Sequence, residues 1–277
     1  MAAEVLRARP LLATVFRKTA WEQRRAIFWW GVGLFAAGAM YAPFYPSIRE
    51  NAATFEQYIQ EMPEFLREAF LGRTGDFTSP AGYLNTELFS LFAPLLMLLF
   101  AIGAGARAIA GEEERRTLDI LLSTPIPRSR VVVDKFLAML AGGAFLALML
   151  WLSVPLTGPP FELRVDLGNL AAAVLMCFLL AMAFGAIALA VSAGSGRRGL
   201  AIGVAAGAAA GSWLVDLLVP AVEAISWLQY LSPMHYYLDP EPMMNGLGIV
   251  GSLVLAGIAL GSFVAAIVLF ERRDLAS

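Results

Sequence analysis

Long apolar runs, each bounded by polar segments, set the pattern of this chain. Six runs contain about 20 mostly apolar residues each, the length that an α-helix needs to cross the ~30 Å hydrocarbon layer of a membrane. The runs are Ala26–Tyr45, Leu88–Ala110, Phe136–Leu156, Leu170–Ser192, Leu200–Val219 and Ile249–Phe270. They are continuously apolar, which excludes the alternation of a membrane β-barrel. The pattern therefore predicts an all-α polytopic membrane protein with six transmembrane helices.

Composition supports this fold class and narrows the chemistry. Hydrophobic residues make up 59% of the chain and charged residues 15%, whereas soluble domains are roughly 45–50% apolar and about 25% charged. The net charge of −2 offers no basic field for nucleic acid. A single cysteine, Cys177, and a single histidine, His235, cannot build a Cys/His zinc cluster or an internal disulfide. We therefore expect no metal site, no catalytic site and no nucleic-acid partner.

The basic residues indicate the orientation in the membrane. Of the 20 Lys and Arg residues, 16 lie in segments that six spans place on one side, and 4 lie on the other. Positive charge accumulates on the cytoplasmic side. We expect one transmembrane domain over residues 1–277 in the plasma (inner) membrane, with both termini in the cytoplasm. Its extracytoplasmic loops would be residues 46–87 and 220–248, and its main cytoplasmic loop residues 107–135.

Two of the segments outside the spans have helical periodicity. Residues 1–25 mix apolar and basic positions, which predicts an amphipathic helix on the inner membrane surface; a basic flank that only fixes topology is the alternative. Within residues 46–87, an apolar stripe predicts two short helices separated by Pro63, the first capped by Thr54 with Gln57. Simple packing and a gate are both compatible with such helices.

Polar residues at the outer side are few. Trp227, Tyr230, Tyr236 and Tyr237 in the last outer loop are typical of the lipid headgroup level. His235 lies among them without an evident partner, which favours a packing role. Asp216 lies near the outer end of the fifth span, since a rise of ~1.5 Å per residue places it roughly 24 Å from Leu200. We interpret it as an interfacial acid.

Glycine recurs at every fourth position of the fifth span, at Gly199, Gly203, Gly207 and Gly211. This spacing puts the four residues on one helix face, where another backbone can approach closely. The face is either a contact with a second subunit or a packing surface inside one bundle. The sequence does not separate these two possibilities.

The segment between the second and third spans has an unusual order of residue types. Acids come first, then leucines at helical spacing, then a break at Ser123-Thr124-Pro125 and a basic stretch that re-enters the bilayer at Lys135. Proline disfavours helix at the residue before it. The order predicts a helix extending from span two, a sharp turn, and a second helix leading into span three. An element of this kind suits docking into a groove on a cytoplasmic partner.

The same segment resembles the cytoplasmic loop of ABC type-2 exporter permeases. The matching positions are Glu112, Glu113 and Glu114, Arg115, Thr117-Leu118, Leu121-Leu122, Ser123-Thr124-Pro125 and Arg128, and Arg116 departs from the glycine of many relatives. The six spans, the amino-terminal helix and Leu231-Ser232-Pro233 extend the resemblance over nearly the whole chain. It implies that the loop carries a coupling helix, seated on an ATP-binding subunit.

What the resemblance implies is a transport subunit without enzymatic activity. The permease would work as a dimer, with an identical or homologous second permease subunit and two ATPase subunits that hold ATP and Mg²⁺. The only lysines, Lys18 and Lys135, are not in a phosphate-binding loop, so this chain should bind no cofactor itself. The expected function is ATP-driven export of a hydrophobic or amphipathic substrate. An ion-coupled secondary carrier is the alternative, although no acid lies near mid-bilayer and no two halves match.

Overall fold

A computed structural model describes residues 12–63, 76–115, 117 and 127–273. Within these residues the fold is helical throughout and contains no β-strand. Six helical segments are long and apolar enough to cross a membrane, which confirms the predicted number of spans. They are Val15–Glu50, Pro80–Ala108, Arg128–Thr157, Leu167–Ser195, Arg198–Leu218 and Ile249–Arg272.

Twelve α-helices make up the described part of the chain. The first six are α1 (Leu12–Met40), α2 (Tyr45–Glu50), α3 (Ala52–Glu61), α4 (Pro80–Leu84), α5 (Ala93–Ala108) and α6 (Ala110–Glu114). The others are α7 (Arg128–Thr157), α8 (Leu167–Ser195), α9 (Arg198–Leu218), α10 (Pro233–Leu238), α11 (Pro242–Asn245) and α12 (Ile249–Arg272). The second span consists of α4, a π-helical stretch over Asn85–Phe92, and α5.

The spans begin or end beyond the bounds expected from hydropathy. The second span starts at Pro80 rather than Leu88, and the third starts at Arg128 rather than Phe136. Hydropathy does not detect the polar residues that cap or extend a helix. Ser79, for example, caps the start of the second span by accepting a hydrogen bond from the Gly82 amide at 3.1 Å. The first four segments that join the spans are correspondingly shorter than predicted, whereas the last, residues 219–248, is one residue longer.

At the amino-terminal side, α1 continues without interruption from Leu12 into the first span. The structure therefore does not separate residues 12–25 from that span as an independent surface helix, and residues 1–11 lie outside the described part. In the loop that follows, α3 begins at Ala52 after Asn51 and ends at Glu61, just before Pro63. The predicted cap at Thr54 is wrong, because Thr54 lies inside this helix, and the predicted second helix falls outside the described residues.

Helix α8 is the centre of the bundle. In the most apolar 18-residue stretch of α8, 72% of the residues are buried. The corresponding shares are 17% in α9 and 22% in α12, so the fifth and sixth spans lie at the periphery of the bundle. It packs most extensively against α5 and α12, whereas α1 packs mainly against α7. Backbones of α5 and α8 come close at Gly105, where a Cβ atom would collide with the carbonyl oxygen of Gly185. Small residues thus allow a close backbone contact in the core.

One end of the bundle is formed by the residues 219–248 and adjacent helix ends. Tyr237 is buried and donates a hydrogen bond to the Phe89 carbonyl at 2.6 Å, so it does not face the membrane surface as predicted, while Trp227 and Tyr230 are exposed. His235 has a partner after all: its Nδ1 lies 3.7 Å from Asp216 Oδ1. The sequence missed this pair because the two residues come from different elements.

The other end, which we call the basic end, contains the starts of α1, α7 and α9 and the ends of α5, α8 and α12. Arg107, Arg128, Arg198 and Arg273 all lie there. Helix α6 ends and helix α7 begins at this end of the bundle.

Candidate functional site

The second span breaks at the basic end, between α5 and α6. Ile109 departs from helical geometry with φ −111° and ψ −55°. A broken helix leaves backbone groups without intrahelical partners, and buried Ser192 of α8 provides them. Its Oγ accepts a hydrogen bond from the Ala110 amide at 3.0 Å and donates one to the Ala106 carbonyl at 3.0 Å. The central helix therefore fixes the point at which α6 leaves the bundle.

Glu112 of α6 is held in a buried ion pair with α7. Lys135 Nζ donates to its Oε1 at 2.6 Å, and only 7% of the Lys135 side chain and 11% of the Glu112 side chain are exposed. Thr117 Oγ1 donates to the other carboxylate oxygen, Oε2, at 2.5 Å. Burial alone would raise the pKa of Glu112, but the hydrogen bonds from Lys135 and Thr117 and the charge of Lys135 outweigh it and lower the pKa.

Glu113 reaches the end of the sixth span. Its Oε1 accepts a hydrogen bond from Arg273 Nη2 at 2.6 Å. Arg128, in the first turn of α7, donates to the Arg273 carbonyl at 2.7 Å and so closes the carboxyl end of α12. Gly196 adopts a left-handed φ of 65°, and a Cβ atom at this position would overlap both Arg273 and Glu113. Glycine can adopt this left-handed conformation without steric strain, and its lack of a side chain leaves room for the ion pair.

Glu114 faces a third helix. Its Oε2 lies 3.9 Å from Nη1 of Arg198, the first residue of α9, and both side chains are about half exposed. Successive residues of a helix point about 100° apart, which explains how three adjacent glutamates reach three different helices. We call these pairs, Glu112–Lys135, Glu113–Arg273 and Glu114–Arg198, the three-way anchor. It joins α6 to α7, α12 and α9.

The structure describes some of the remaining residues that were predicted to contact the ATP-binding subunit, but not all of them. Arg115 is exposed directly after α6, Thr117 supports Glu112, and Arg128 begins α7 after Pro127. The helix beyond span two and the helix leading into span three match the expected order of elements. Arg116, Leu118, Leu121, Leu122, Ser123, Thr124 and Pro125 lie outside the described residues.

The glycine face of α9 has no neighbour among the described residues. A Cβ atom added at any of Gly199, Gly203, Gly207 or Gly211 would meet no described atom within 4 Å. The alanines on the opposite face, Ala201, Ala205 and Ala209, are buried against the bundle. Packing inside one bundle was one of the two interpretations of this face, and the described residues offer it no partner.

Sequence reasoning missed several residues of the site. Lys135, Ser192 and Arg273 came from predicted spans or their flanks and carried no motif. The Gly105–Gly185 contact did have a signal, since Ala101 and Ala181 each lie four residues before one of these glycines. In the part of the chain that the structure describes, no three His, Cys, Asp or Glu side chains converge as a metal site requires.

Removing the buried carboxylate of the anchor should destabilise the protein more than removing the exposed one. Glu112→Ala leaves the Lys135 ammonium buried without a counter-charge, so we expect a loss of about 3 kcal/mol in the free energy of unfolding. Glu114→Ala removes a half-exposed pair and should cost about 0–1 kcal/mol. SDS titration of the purified proteins in mixed micelles measures both. Equal losses in the two variants would contradict the buried-pair assignment, and Lys135→Met added to Glu112→Ala should recover part of the loss.

The same pair should make stability depend on acidic pH. A glutamate with a lowered pKa stabilises the fold fully above its ordinary pKa, and this contribution is lost as the pH falls through the lowered value. The difference in unfolding free energy between wild type and Glu112→Ala should therefore be constant near neutrality and shrink below about pH 4. Unfolding measured at a series of pH values tests this. A difference that persisted at the lowest pH would show that the carboxylate charge is not its source.

Comparison with known proteins agrees with this architecture. A family model described as "ABC-2 family transporter protein" matches residues 13–275. The chain is also 31% identical over 193 residues to the "Probable ABC transporter permease protein NosY" of Pseudomonas aeruginosa, an alignment that covers 61% of this chain and 66% of the relative, just under two thirds of its length. The family match spans all six membrane helices and the three-way anchor. The chain therefore belongs to the ABC-2 family of transporter proteins, as a membrane-spanning permease component.

Proposed function

We propose that the chain is the permease of an ATP-driven exporter that moves a hydrophobic or amphipathic substrate out of the cytoplasm. In this proposal the basic end faces the cytoplasm, because 16 of the 20 Lys and Arg residues belong to its side of the six spans. Two permease subunits, identical or homologous, would work with two ATP-binding subunits. Those subunits would hold ATP and Mg²⁺ and supply the energy.

The observation that carries this proposal is the three-way anchor. A subunit that presses on the segment between α6 and α7 would act on a helix tied by ion pairs to α7, α9 and α12. Packed elements with fixed contacts move as units rather than bending continuously. A displacement of α6 would therefore be passed to three spans together, and through Ser192 to the central helix α8.

The state of the two lysines supports a separate source of energy. A nucleotide site of the phosphate-loop type needs a lysine that is free to bind phosphate. Lys135 is instead committed to Glu112 at 2.6 Å, and Lys18 lies one helical turn from Glu22 at 3.8 Å. We therefore assign ATP binding to the partner subunit rather than to this chain.

Docking of the ATP-binding subunit should depend on the leucines of the segment between the two helices. Replacing Leu121 and Leu122 together with Asp puts two charges where an apolar contact is expected. The permease should still insert into the membrane, but co-purification of the ATP-binding subunit and substrate-stimulated ATPase activity should fall at least tenfold. Affinity purification of the tagged permease with its co-expressed ATP-binding subunit measures the first effect.

The matched control carries the same chemical change at the opposite end. Leu231 and Leu247 are exposed there, and the variant Leu231→Asp with Leu247→Asp should retain the ATP-binding subunit. Normal co-purification and export by the Leu121→Asp/Leu122→Asp variant would refute the docking role.

For the second permease subunit we propose the glycine face of α9. This helix is the least buried of the six spans, and its four glycines present a flat surface with no described neighbour. Small residues let two backbones approach closely, so van der Waals contact can stabilise a helix pair in lipid. In the proposed dimer this face would pack against a second copy of the chain, whereas the described residues of one bundle make no contact with it.

Bulky residues on that face should disrupt the dimer and leave the subunit folded. For Gly203→Leu with Gly207→Leu we expect monomers by size-exclusion chromatography with light scattering, at an unfolding midpoint close to that of wild type. Gly105→Leu is the control for packing inside the bundle, because its side chain would collide with Gly185 and lower the midpoint. Unchanged dimerisation of the Gly203/Gly207 variant would exclude this face as the contact.

A further inference from the structure

A cavity of about 240 Å³ opens at the basic end between α1, α5, α6 and the start of α9. Sites for whole drug-sized ligands usually measure about 300–1,000 Å³. This cavity is smaller, so it fits a polar headgroup and the beginning of an attached chain. Among the described residues, none that lines it belongs to the glycine face.

The charges that line the cavity do not cancel. Three carboxylates line it, and each already has a basic partner: Glu22 with Lys18, Glu112 with Lys135, and Glu114 with Arg198. Arg107 and Arg115 also line it. Neither forms an ion pair with a carboxylate of the residues that the structure describes. Among the described residues, these two guanidinium groups therefore have no counter-charge, and an anion bound in the cavity could supply one.

Arg198 strengthens the demand for an anion. Its Nε is buried and has no hydrogen-bond partner within the described structure, and a buried donor without an acceptor is costly. Arg107, Arg115 and Arg198 line the same cavity, so their like charges repel one another. An anion between the three arginines would relieve this repulsion. Guanidinium groups suit phosphate oxygens in particular, because they can donate two parallel hydrogen bonds.

The opposite wall of the cavity is apolar. Ile27 and Trp30 of α1 contribute to it, and so does Phe100 of α5, whose ring packs edge-to-face with Trp30 at a centroid distance of 6.3 Å. These residues lie within the membrane spans, whereas the three arginines lie at or beyond the span ends. A ligand bound here would have its charge at the membrane surface and its apolar part directed toward the hydrocarbon.

We infer that this cavity binds an anionic phospholipid, with the phosphate between Arg107, Arg115 and Arg198 and the start of an acyl chain against Ile27 and Trp30. Basic pockets between membrane helices at the cytoplasmic side are suited to anionic headgroups. A free phosphate ion would satisfy the arginines but leave the apolar wall unused. The inference does not depend on the direction of transport or on the ATP-binding subunit.

The test uses the purified, delipidated permease in a neutral detergent. Phosphatidylglycerol and phosphatidylcholine with identical acyl chains are titrated, and binding is followed by native mass spectrometry and tryptophan fluorescence. We expect phosphatidylglycerol to bind at least tenfold more tightly than phosphatidylcholine. The double variant Arg107→Gln with Arg115→Gln should lose this preference. Arg197→Gln is the matched control, since Arg197 is exposed beside Arg198 and does not line the cavity; its affinity should stay within twofold of wild type.

A second variant separates occupation of the cavity from surface charge. Ala26 is exposed and lines the cavity, so Ala26→Trp should fill it and abolish the preference while keeping every charge. Retained preference in either the Arg107/Arg115 variant or Ala26→Trp would overturn the inference. An equal loss of the phosphatidylglycerol preference in Arg197→Gln would show general electrostatic attraction to the basic end and would refute a specific lipid site. Displacement of phosphatidylglycerol by millimolar inorganic phosphate would show that the cavity binds a free anion instead of a lipid.

Discussion

Charged side chains at the end of a membrane bundle lose water and must find opposite charges, and the Glu112–Lys135 pair is where this constraint acts most strongly. Both side chains are almost fully buried, so each would be costly without the other. Thr117 binds the second carboxylate oxygen and thereby fixes the start of the segment that leaves the bundle. The position of α6 follows from this pair, and the positions of Glu113 and Glu114 follow from α6. The other two contacts of the anchor depend on the first.

The six spans could be predicted from the sequence because apolar length is a local property. The helices on either side of the segment between the second and third spans, α6 and the start of α7, were also predictable in outline, since acids, leucines and proline follow one another within 25 residues. The ion pairs were not, because their partners are far apart: Glu113 and Arg273 are separated by 160 positions. Periodicity within a segment indicates which face is polar, but not which helix it meets. For the same reason His235 lacked a partner in the sequence, and the fold supplied Asp216.

Glycine patterns show a related limit. Gly105 and Gly185, each preceded by an alanine four positions earlier, allow two backbones to touch in the core, whereas Gly203 and Gly207 have no described atom near them. Both patterns consist of small residues at a spacing of four. Spacing shows that a helix can be approached closely, but not by which element. The difference comes from the arrangement of the helices: α8 is surrounded by other spans, while α9 buries its alanine face against the bundle and leaves its glycine face without a described neighbour.

The anchor and the arginine-lined cavity share residues, and this sharing determines how they would influence each other. Arg198 belongs to both, and its pair with Glu114 at 3.9 Å is the longest and most exposed of the three. Coulomb attraction falls with distance and with exposure to water, so this pair separates more easily than Glu112–Lys135 at 2.6 Å. A phosphate bound to Arg198 would therefore compete with Glu114 and leave the buried pair intact. Headgroup binding would loosen the tie between α6 and α9 while keeping the tie between α6 and α7, and α9 is the helix that carries the open glycine face. Lipid at the cavity would thus act on the glycine face proposed as the contact between permease subunits rather than on the segment proposed to receive the ATP-binding subunit.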